Sequence, residues 1–324
     1  MAVALGIVGF GIMGERLLRA ALNHDSSVIR LAGVWDPSPA AVSRLQQIAP
    51  RVPMLPSAEA VISACDALYV ASPPSSHIAH AEAAFAAGRA AFVEKPLAAD
   101  LTTARRFVAA AEALGARAAV NFPMASSPAV AQLSAWRESL GAPRSLSIHL
   151  AFATWPRGWQ KAAAGWLAQR AEGGFTREVL SHFLFLTRRQ LGPISVVSRK
   201  ATFPPGDGAE TAIRATLNAG GVPVEVTGGV GITEADDHNE WRLESEGGAI
   251  RLRDWSFAEK LAVDIGWHAA PDALPNERMR PLVLKGQLDK VAALTRGEPQ
   301  NLATPREALE VQEVVEAILG ARAH

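Results

Sequence analysis

The chain of 324 residues predicts an α/β fold: a doubly wound parallel sheet over residues 1–122, then an α+β segment rich in strands over residues 123–324. Three observations predict it. Apolar runs alternate with helical periodicities throughout the first part, the pattern of a parallel sheet with helices on both faces. A strand, a glycine-rich turn and a helix open the chain. From residue 145 onward, six strand-like runs follow, with Gly220-Gly221 and Gly247-Gly248 as turns.

Residues 4–8 form the first apolar run, Gly9-Phe10-Gly11-Ile12-Met13-Gly14 supplies the spacing G-x-G-x-x-G, and residues 15–22 continue with helical periodicity. In such a turn the first glycine permits the sharp bend, the second lets a pyrophosphate approach the backbone, and the third lets the helix pack on the strand. Phosphates then sit at the helix N-terminus, where unpaired N–H groups and the helix dipole favour negative charge. A second apolar run, 28–35, ends in Asp36, about 20 residues after the turn, which completes a dinucleotide-binding Rossmann fingerprint. Asp36 can accept hydrogen bonds from both adenosine ribose hydroxyls, whereas a 2′-phosphate meets its negative charge, so NAD is favoured over NADP. An arginine moving in to accept that phosphate would admit NADP, and a capping aspartate is the structural alternative.

Pro37 and Ser38 open a helix over 40–48, residues 51–55 are a short extended piece, and Ser57 is a candidate N-cap for a helix over 58–63. A buried strand over 67–72 runs into Pro73 and Pro74, and His77 begins a helix over 78–87 that stops at Gly88. The strand 90–93 leads into Glu94-Lys95-Pro96, the helix 101–114 into the strand 117–122. Ligands of doubly wound sheets bind outside the carboxyl ends of the strands, which makes Asp36, the Ser72-Pro73-Pro74 stretch and Glu94-Lys95-Pro96 candidates by position. Lys95, followed by a proline, would hold its ammonium near a nicotinamide; an exposed strand-end lysine is the other reading.

Composition excludes several classes. Acidic and basic residues number 32 each, so nothing points to nucleic acid or an anionic membrane surface, and a small-molecule partner is expected. Cys65 is the single cysteine, which excludes an intramolecular disulfide and a cysteine-clustered metal site; a bland buried thiol is expected there. The other histidines (His24, His77, His80, His149, His238, His268 and His324) lack paired ligand spacing, so no metal is inferred. The chain enters a strand within a few residues and has no apolar run near the roughly 18 residues needed to span a bilayer, so a cytoplasmic protein is expected.

In the second part, Gly173 and Gly174 precede a helix starting at Phe175 or Thr176 and stopped at Gly192-Pro193. Leu180, Phe183, Leu184, Thr187 and Leu191 share one face, while Glu178 and His182, four apart, share the other. A carboxylate one turn before a histidine can fix the tautomer of a general base; a solvated helical pair is the alternative. Trp155, Arg157, Trp159 and Trp166 lie just upstream. Tryptophan faces stack on sugar C–H surfaces and arginine binds hydroxyls or an acid group, with loop or interface anchoring as the competing role. Strands are expected over 145–154, 194–203, 211–218, 222–233, 239–245 and 248–253, a loop over 270–280, and helices over 282–295 and 304–319, the last opened by Thr304-Pro305 with Glu307.

Gly9-Phe10-Gly11-Ile12-Met13-Gly14, the stretch Tyr69-Val70-Ala71-Ser72-Pro73-Pro74-Ser75-Ser76-His77 and Glu94-Lys95-Pro96-Leu97, in that order, resemble the glucose-fructose oxidoreductase and inositol dehydrogenase family, Gfo/Idh/MocA. The resemblance implies a Rossmann domain followed by an α+β substrate and oligomerisation domain on a large, mostly antiparallel open sheet. It implies NAD- or NADP-dependent hydride transfer to or from a sugar, inositol or polyol, often in a homodimer or homotetramer. By position it adds Ser72, Pro73, Pro74, His77, Glu94, Lys95 and Asn121 to the cofactor contacts, and it gathers Lys95, Glu178 and His182 around the substrate carbon.

Three positions depart from the family pattern. Glu178 stands for the usual aspartate, Phe185 for an aspartate that many members carry three residues after the histidine, and the stretch from Asn121 to Pro128 where many relatives carry arginine or tyrosine. These departures leave open a reductase of a non-sugar carbonyl or imine, and a regulatory dinucleotide-binding protein without turnover. Phe185 would make part of the pocket less hydrophilic. An open face of the second sheet, read as apolar, would serve as a natural interface.

Overall fold

The computed structural model describes residues 1–262 and 264–320, the side chains at 161 and 162 apart. Its chain divides into two units: Met1–Ser126 with Pro281–Leu309, and Ser127–Arg280 with the chain from Glu310.

Six consecutive buried residues make β1 (Val3–Val8), the centre of the first unit. It is followed by α1 (Ile12–Leu22), β2 (Ile29–Trp35), α2 (Pro39–Ile48), α3 (Ala58–Ala64), β3 (Ala67–Val70), α4 (Pro74–Ala86), β4 (Ala90–Val93), α5 (Leu101–Ala113) and β5 (Ala118–Val120). The five strands form one sheet in the order β2-β1-β3-β4-β5, all pairs parallel, as the alternating pattern predicts. β1 and β3 flank the point where the strand order reverses, which is where this sheet class binds ligands.

Ser57 caps α3 by accepting from the Ala60 N–H, and Asp100 caps α5 through Thr103. The extended piece at 51–55 meets β2 through a parallel bridge between Val34 and Met54. α4 starts at Pro74 rather than near His77, because a proline at the first helical position costs no hydrogen bond and has a helical φ already. Cys65 is buried, and burial pushes its thiol up to about 11, so it stays protonated at neutral pH.

The second unit opens with α6 (Pro128–Arg137), which was not read in the sequence although Ser127-Pro128 is a usable start signal: the Ser127 hydroxyl accepts from the Val130 N–H. Then come β6 (Pro143–Phe152), α7 (Ala164–Leu167), α8 (Ser181–Leu191), β7 (Ile194–Thr202), β8 (Ala212–Ala219), β9 (Val222–Val230), β10 (Asp237–Ser245), β11 (Gly248–Arg253), β12 (Phe257–Ala262) and β13 (Gly266–Ala269). Their eight strands run β13-β12-β11-β10-β6-β9-β8-β7, antiparallel except for the β6–β9 pair. On one face Trp241 is fully buried and its indole N–H donates to the Thr187 hydroxyl of α8 at 2.9 Å. The opposite face is not the apolar surface expected: Glu240, Arg251, Glu259 and Arg253 alternate with the core positions and form ion pairs across β10, β11 and β12. Among the described residues no helix is long and apolar enough to cross a membrane.

The chain ends with α9 (Asn276–Arg296) and α10 (Pro305–Leu319). α9 begins inside the stretch read as a loop, and Thr304 and Glu307 cap α10 reciprocally, each accepting from the other's backbone N–H. The contiguous division at residue 122 is replaced by one in which Pro281–Leu309 returns to the first unit. The reason is packing: Leu284, Leu288, Val291 and Leu302 are buried in one cluster with Leu5, Ile7, Tyr69 and Phe92 of the parallel sheet.

Leu288→Ala should therefore lower stability by about 2–5 kcal/mol, the cost of a cavity under the parallel sheet. Leu282→Ala, at a side chain 49% exposed, should be nearly neutral. Denaturant unfolding of the two variants makes the comparison, and equal effects would contradict the assignment of this segment to the first core.

Candidate functional site

The three glycines of the first turn have three different surroundings. Gly9 has φ +92°, and a side chain there would lie 2.4 Å from the backbone of Ala71 and Ser72. At Gly14 a Cβ would sit 2.1 Å from the Gly9 carbonyl oxygen. Nothing lies within 4 Å of the equivalent point on Gly11, which is exposed. Two positions are closed by the protein's own backbone and the middle one is open, the profile of a turn against which a pyrophosphate can rest. No side chain caps the start of α1 at Gly11, and Ile12 and Met13, its first two residues, are half-buried.

Asp36 follows the last residue of β2, and its carboxylate accepts from the Phe10 N–H at 2.7 Å and the Ser38 N–H at 2.8 Å. It is both a turn cap and a brace for the glycine loop. Each carboxylate oxygen keeps a further lone pair, so these bonds leave capacity for ribose hydroxyls.

The flanks of Lys95 are anchored on both sides. Glu94, buried, accepts from the Tyr69 hydroxyl and from the Asn121 side-chain amide at 2.6 Å, and the Asn121 carbonyl accepts from Gln287. Burial, with the Glu94 carboxylate beside it, holds the Tyr69 phenol well above its ordinary pKa, so it remains the donor. On the other side the Pro96 carbonyl lies 2.9 Å from His77 Nδ1, while His77 Nε2 lies 2.8 Å from the Ser72 carbonyl. His77 thus ties the loops after β3 and β4 together, and burial lowers its pKa. The Ser72 hydroxyl pairs with Ser76 at 2.6 Å beside exposed Pro73 and buried Pro74. Lys95 itself is half-buried. Of the residues expected at the cofactor, Glu94, Asn121 and His77 are buried and committed to holding the strand ends, while Gly11, Ile12, Met13 and Asp36 remain accessible.

In the second unit the glycine pair has a steric cause. A Cβ at Gly173 would lie 2.2 Å from the Leu167 carbonyl, and one at Gly174 (φ +98°) 2.1 Å from a Glu210 carboxyl oxygen. Glu210 is buried, its pKa raised by that burial, and it accepts from the Thr176 N–H at 2.7 Å. This long-range carboxyl caps a π-helical turn, Thr176–Leu180, that leads into α8. Glu178 lies in this π turn and His182 in the first turn of α8, so the pair spans the junction of the two. Arg177 fixes the turn through two bonds to Glu316 and through the Arg170 and Gly173 carbonyls.

α8 is buried almost all round rather than on one face. His182 is buried, and Phe185 is in the core with the Arg189 guanidinium 4.6 Å over its ring, not in a pocket wall. Glu178 is half-buried. The His182 ring meets Trp255 edge to face at 5.5 Å, and Trp255 also contacts Phe183 at 5.2 Å. Trp255 occupies a three-residue turn between β11 and β12 in which Asp254 (φ 47°) and Trp255 (φ 72°) both adopt left-handed conformations. Such backbone is strained for a bulky residue and clusters at functional sites. Trp255 was not singled out in the sequence; a tryptophan in a turn where glycine or asparagine is usual was the available signal.

The upstream tryptophans separate into two kinds. Trp155 is half-buried, donates to the Leu167 carbonyl at 3.0 Å and packs on Phe152 and Phe175, an anchoring role. Trp159 and Trp166 are exposed, at 42% and 36%. Arg157 is buried beneath Trp159, its guanidinium 4.8 Å from that ring, with Nη1 bonded to Asp237 at 2.6 Å and Nε to Gln160 at 3.0 Å. No three acidic, histidine or cysteine side chains gather as a metal site among the described residues; His324 lies outside them.

The first unit has the fold and turn of a dinucleotide-binding Rossmann protein. Residues 3–122 match the model of the Gfo/Idh/MocA oxidoreductase family, NAD-binding Rossmann fold. It is 39% identical over 118 residues to an inositol 2-dehydrogenase of Cereibacter sphaeroides, a match spanning 36% of this chain and 35% of the relative. The chain thus spans about a third of the length of that curated relative. The whole fold is similar to that of an oxidoreductase of Thermotoga maritima (TM-score 0.83, 18% identity, 99% of this chain and 97% of that one). It is also similar to that of an oxidoreductase of Agrobacterium radiobacter in complex with NAD+, L-tartaric acid and magnesium (TM-score 0.82, 17% identity, 100% and 97%).

Two glycine variants separate the turn's roles. Gly14→Ala should destabilise the fold by about 1–3 kcal/mol through overpacking on Gly9. Gly11→Ala should leave the melting temperature nearly unchanged and weaken NAD binding at least tenfold. Calorimetry and NAD titration check both, and unimpaired NAD binding by the folded Gly11→Ala protein would contradict the reading of the turn.

Proposed function

We propose that the protein is an NAD-dependent dehydrogenase that transfers a hydride between the nicotinamide and a secondary alcohol or carbonyl carbon of a sugar, inositol or related polyol. The observation that carries this reading is Lys95: a half-buried ammonium between Glu94, bonded to Tyr69 and Asn121, and Pro96, whose carbonyl is tied to His77. Such anchoring on both sides preorganises a charged group, which is what stabilising a developing alkoxide requires. The family match and the similarity to an inositol 2-dehydrogenase support the same reading.

The residues present fit the dinucleotide. Gly11, Ile12 and Met13 would take the pyrophosphate and Asp36 the ribose hydroxyls, where its charge disfavours a 2′-phosphate and supports NAD over NADP. When bound, NAD supplies the hydride-accepting ring. The protein's share is positioning and proton handling. In the oxidation direction the first unit would supply Lys95, whose ammonium stabilises a developing alkoxide, and the second unit His182 as acceptor of the hydroxyl proton, with Glu178 orienting the base. Trp159 and Trp166 offer exposed faces for the C–H surface of a sugar.

The test is absorbance at the reduced-nicotinamide band with NAD and a panel of sugars, inositols, polyols and sugar acids, for the wild type and Lys95→Ala. The variant should lose about 10²–10⁴-fold in turnover with NAD affinity within twofold of wild type. Near-normal turnover would remove Lys95 from the mechanism, and no turnover by wild type on any member would overturn the proposal.

A further inference from the structure

Resting on the dehydrogenase reading, we infer that Trp255 is the positioning residue of the proposed base: its indole, held against His182 by a strained turn, fixes the plane in which the imidazole meets the substrate hydroxyl. His182, Trp255 and every residue that braces the tryptophan belong to the second unit. The turn from Arg253 to Ser256 closes with the Ser256 N–H on the Arg253 carbonyl at 3.2 Å, and its central residues both have positive φ, 47° at Asp254 and 72° at Trp255. Hairpin turns with that backbone are commonly built from Asp-Gly, because glycine takes the second position without strain. Asp254 keeps the first half of that pair, and a tryptophan stands where the glycine would. The turn itself does not need an indole, so the strain of placing one there is offset by what the indole touches.

Its neighbours are His182, Phe183 and Asp237. The His182 ring lies 5.5 Å away, edge to face with the planes at 76°, and Phe183 lies 5.2 Å away. The indole N–H reaches the Asp237 carboxylate at 3.4 Å, on the oxygen that also holds Arg157 at 2.6 Å. The turn behind the ring is pinned on both flanks. One Asp254 oxygen accepts from the Asn239 N–H at 3.2 Å and lies 2.8 Å from His238 Nδ1, while the other accepts from Arg253 at 2.9 Å. On the far flank the buried Ser256 hydroxyl donates to the Leu274 carbonyl at 2.7 Å. Core filling accounts for the Phe183 contact alone, and Trp155 fills that kind of role on Phe152 and Phe175 without a positive φ. The burial of α8 fixes the backbone of His182, and the braced indole restricts the remaining rotation of its ring. A proton acceptor has to be held in that way, because small misplacements of a reacting group are expensive in rate.

The experiment measures kcat, KM and the solvent deuterium isotope effect on kcat for wild type, Trp255→Gly and Trp255→Phe, with NAD and the sugar, inositol, polyol or sugar acid of the panel that wild type oxidises fastest. Trp255→Gly suits the turn and removes the ring. Its kcat should fall about 10–100-fold, with KM and NAD affinity within about threefold of wild type. The isotope effect should rise, because passing the hydroxyl proton to a loosely held base becomes the slow step. Trp255→Phe keeps a ring in place and should recover most of the lost kcat. Thermal melting checks the fold of each variant; if Trp255→Gly does not fold, Trp255→Leu, which keeps apolar bulk without a ring, takes its place with the same expectations. Wild-type kcat in the ringless variant, a lowered kcat with an unchanged isotope effect, or a loss confined to KM would overturn the inference and leave the dehydrogenase reading standing. No turnover by wild type on any panel member would overturn that reading and the inference with it.

Discussion

A buried chain of hydrogen bonds, Tyr69 to Glu94 to Asn121 to Gln287, is the constraint on which the first unit depends. Its members come from β3, the loop after β4, the end of β5 and helix α9, so one network joins four segments of different origin. Each group would be an unsatisfied buried donor or acceptor without the others, and a partly made network costs more than an apolar core. The consequence is local rigidity at the carboxyl ends of the parallel strands. Lys95 inherits its placement from that rigidity, and His77 secures the same loop from the other side.

The second unit solves a similar problem with a different device. The helix that carries His182 needs a fixed start, and here no neighbouring residue supplies the cap. Glu210, far along the chain, reaches the Thr176 N–H instead, and the space its carboxyl occupies explains why residue 174 is glycine. The π turn then hands over to α8, whose near-complete burial leaves His182 little freedom. Trp255 closes against its ring from a strained turn. Buried carboxyl, π turn and strained tryptophan each carry a cost, and all three converge on one histidine.

Much of the first unit was legible because its signals are local. The G-x-G-x-x-G spacing, Ser57 as a cap and the apolar strands 4–8 and 90–93 follow from short-range rules, and the structure places them with shifts of a residue or so. The second sheet was partly legible. β12 and β13 escaped because one is interrupted by Glu259 and Lys260 and the other is only four residues long, with neither end buried. What stayed hidden depends on contacts distant in sequence. Asp237 acquires meaning only through Arg157, 80 residues away, and α9 begins in a stretch whose prolines read as a loop. Phe185 shows the opposite error: a position that differs from relatives was read as a pocket wall, whereas a helix buried on all sides needs an apolar residue there.

The central claim is that the first turn is a dinucleotide site whose selectivity is set by Asp36. Equilibrium titration of the purified wild-type protein with NAD and with NADP, by intrinsic tryptophan fluorescence or calorimetry, tests it most directly. The account predicts saturable one-site binding of NAD, at least tenfold tighter than NADP. Absence of saturable binding, or tighter binding of NADP, would contradict it.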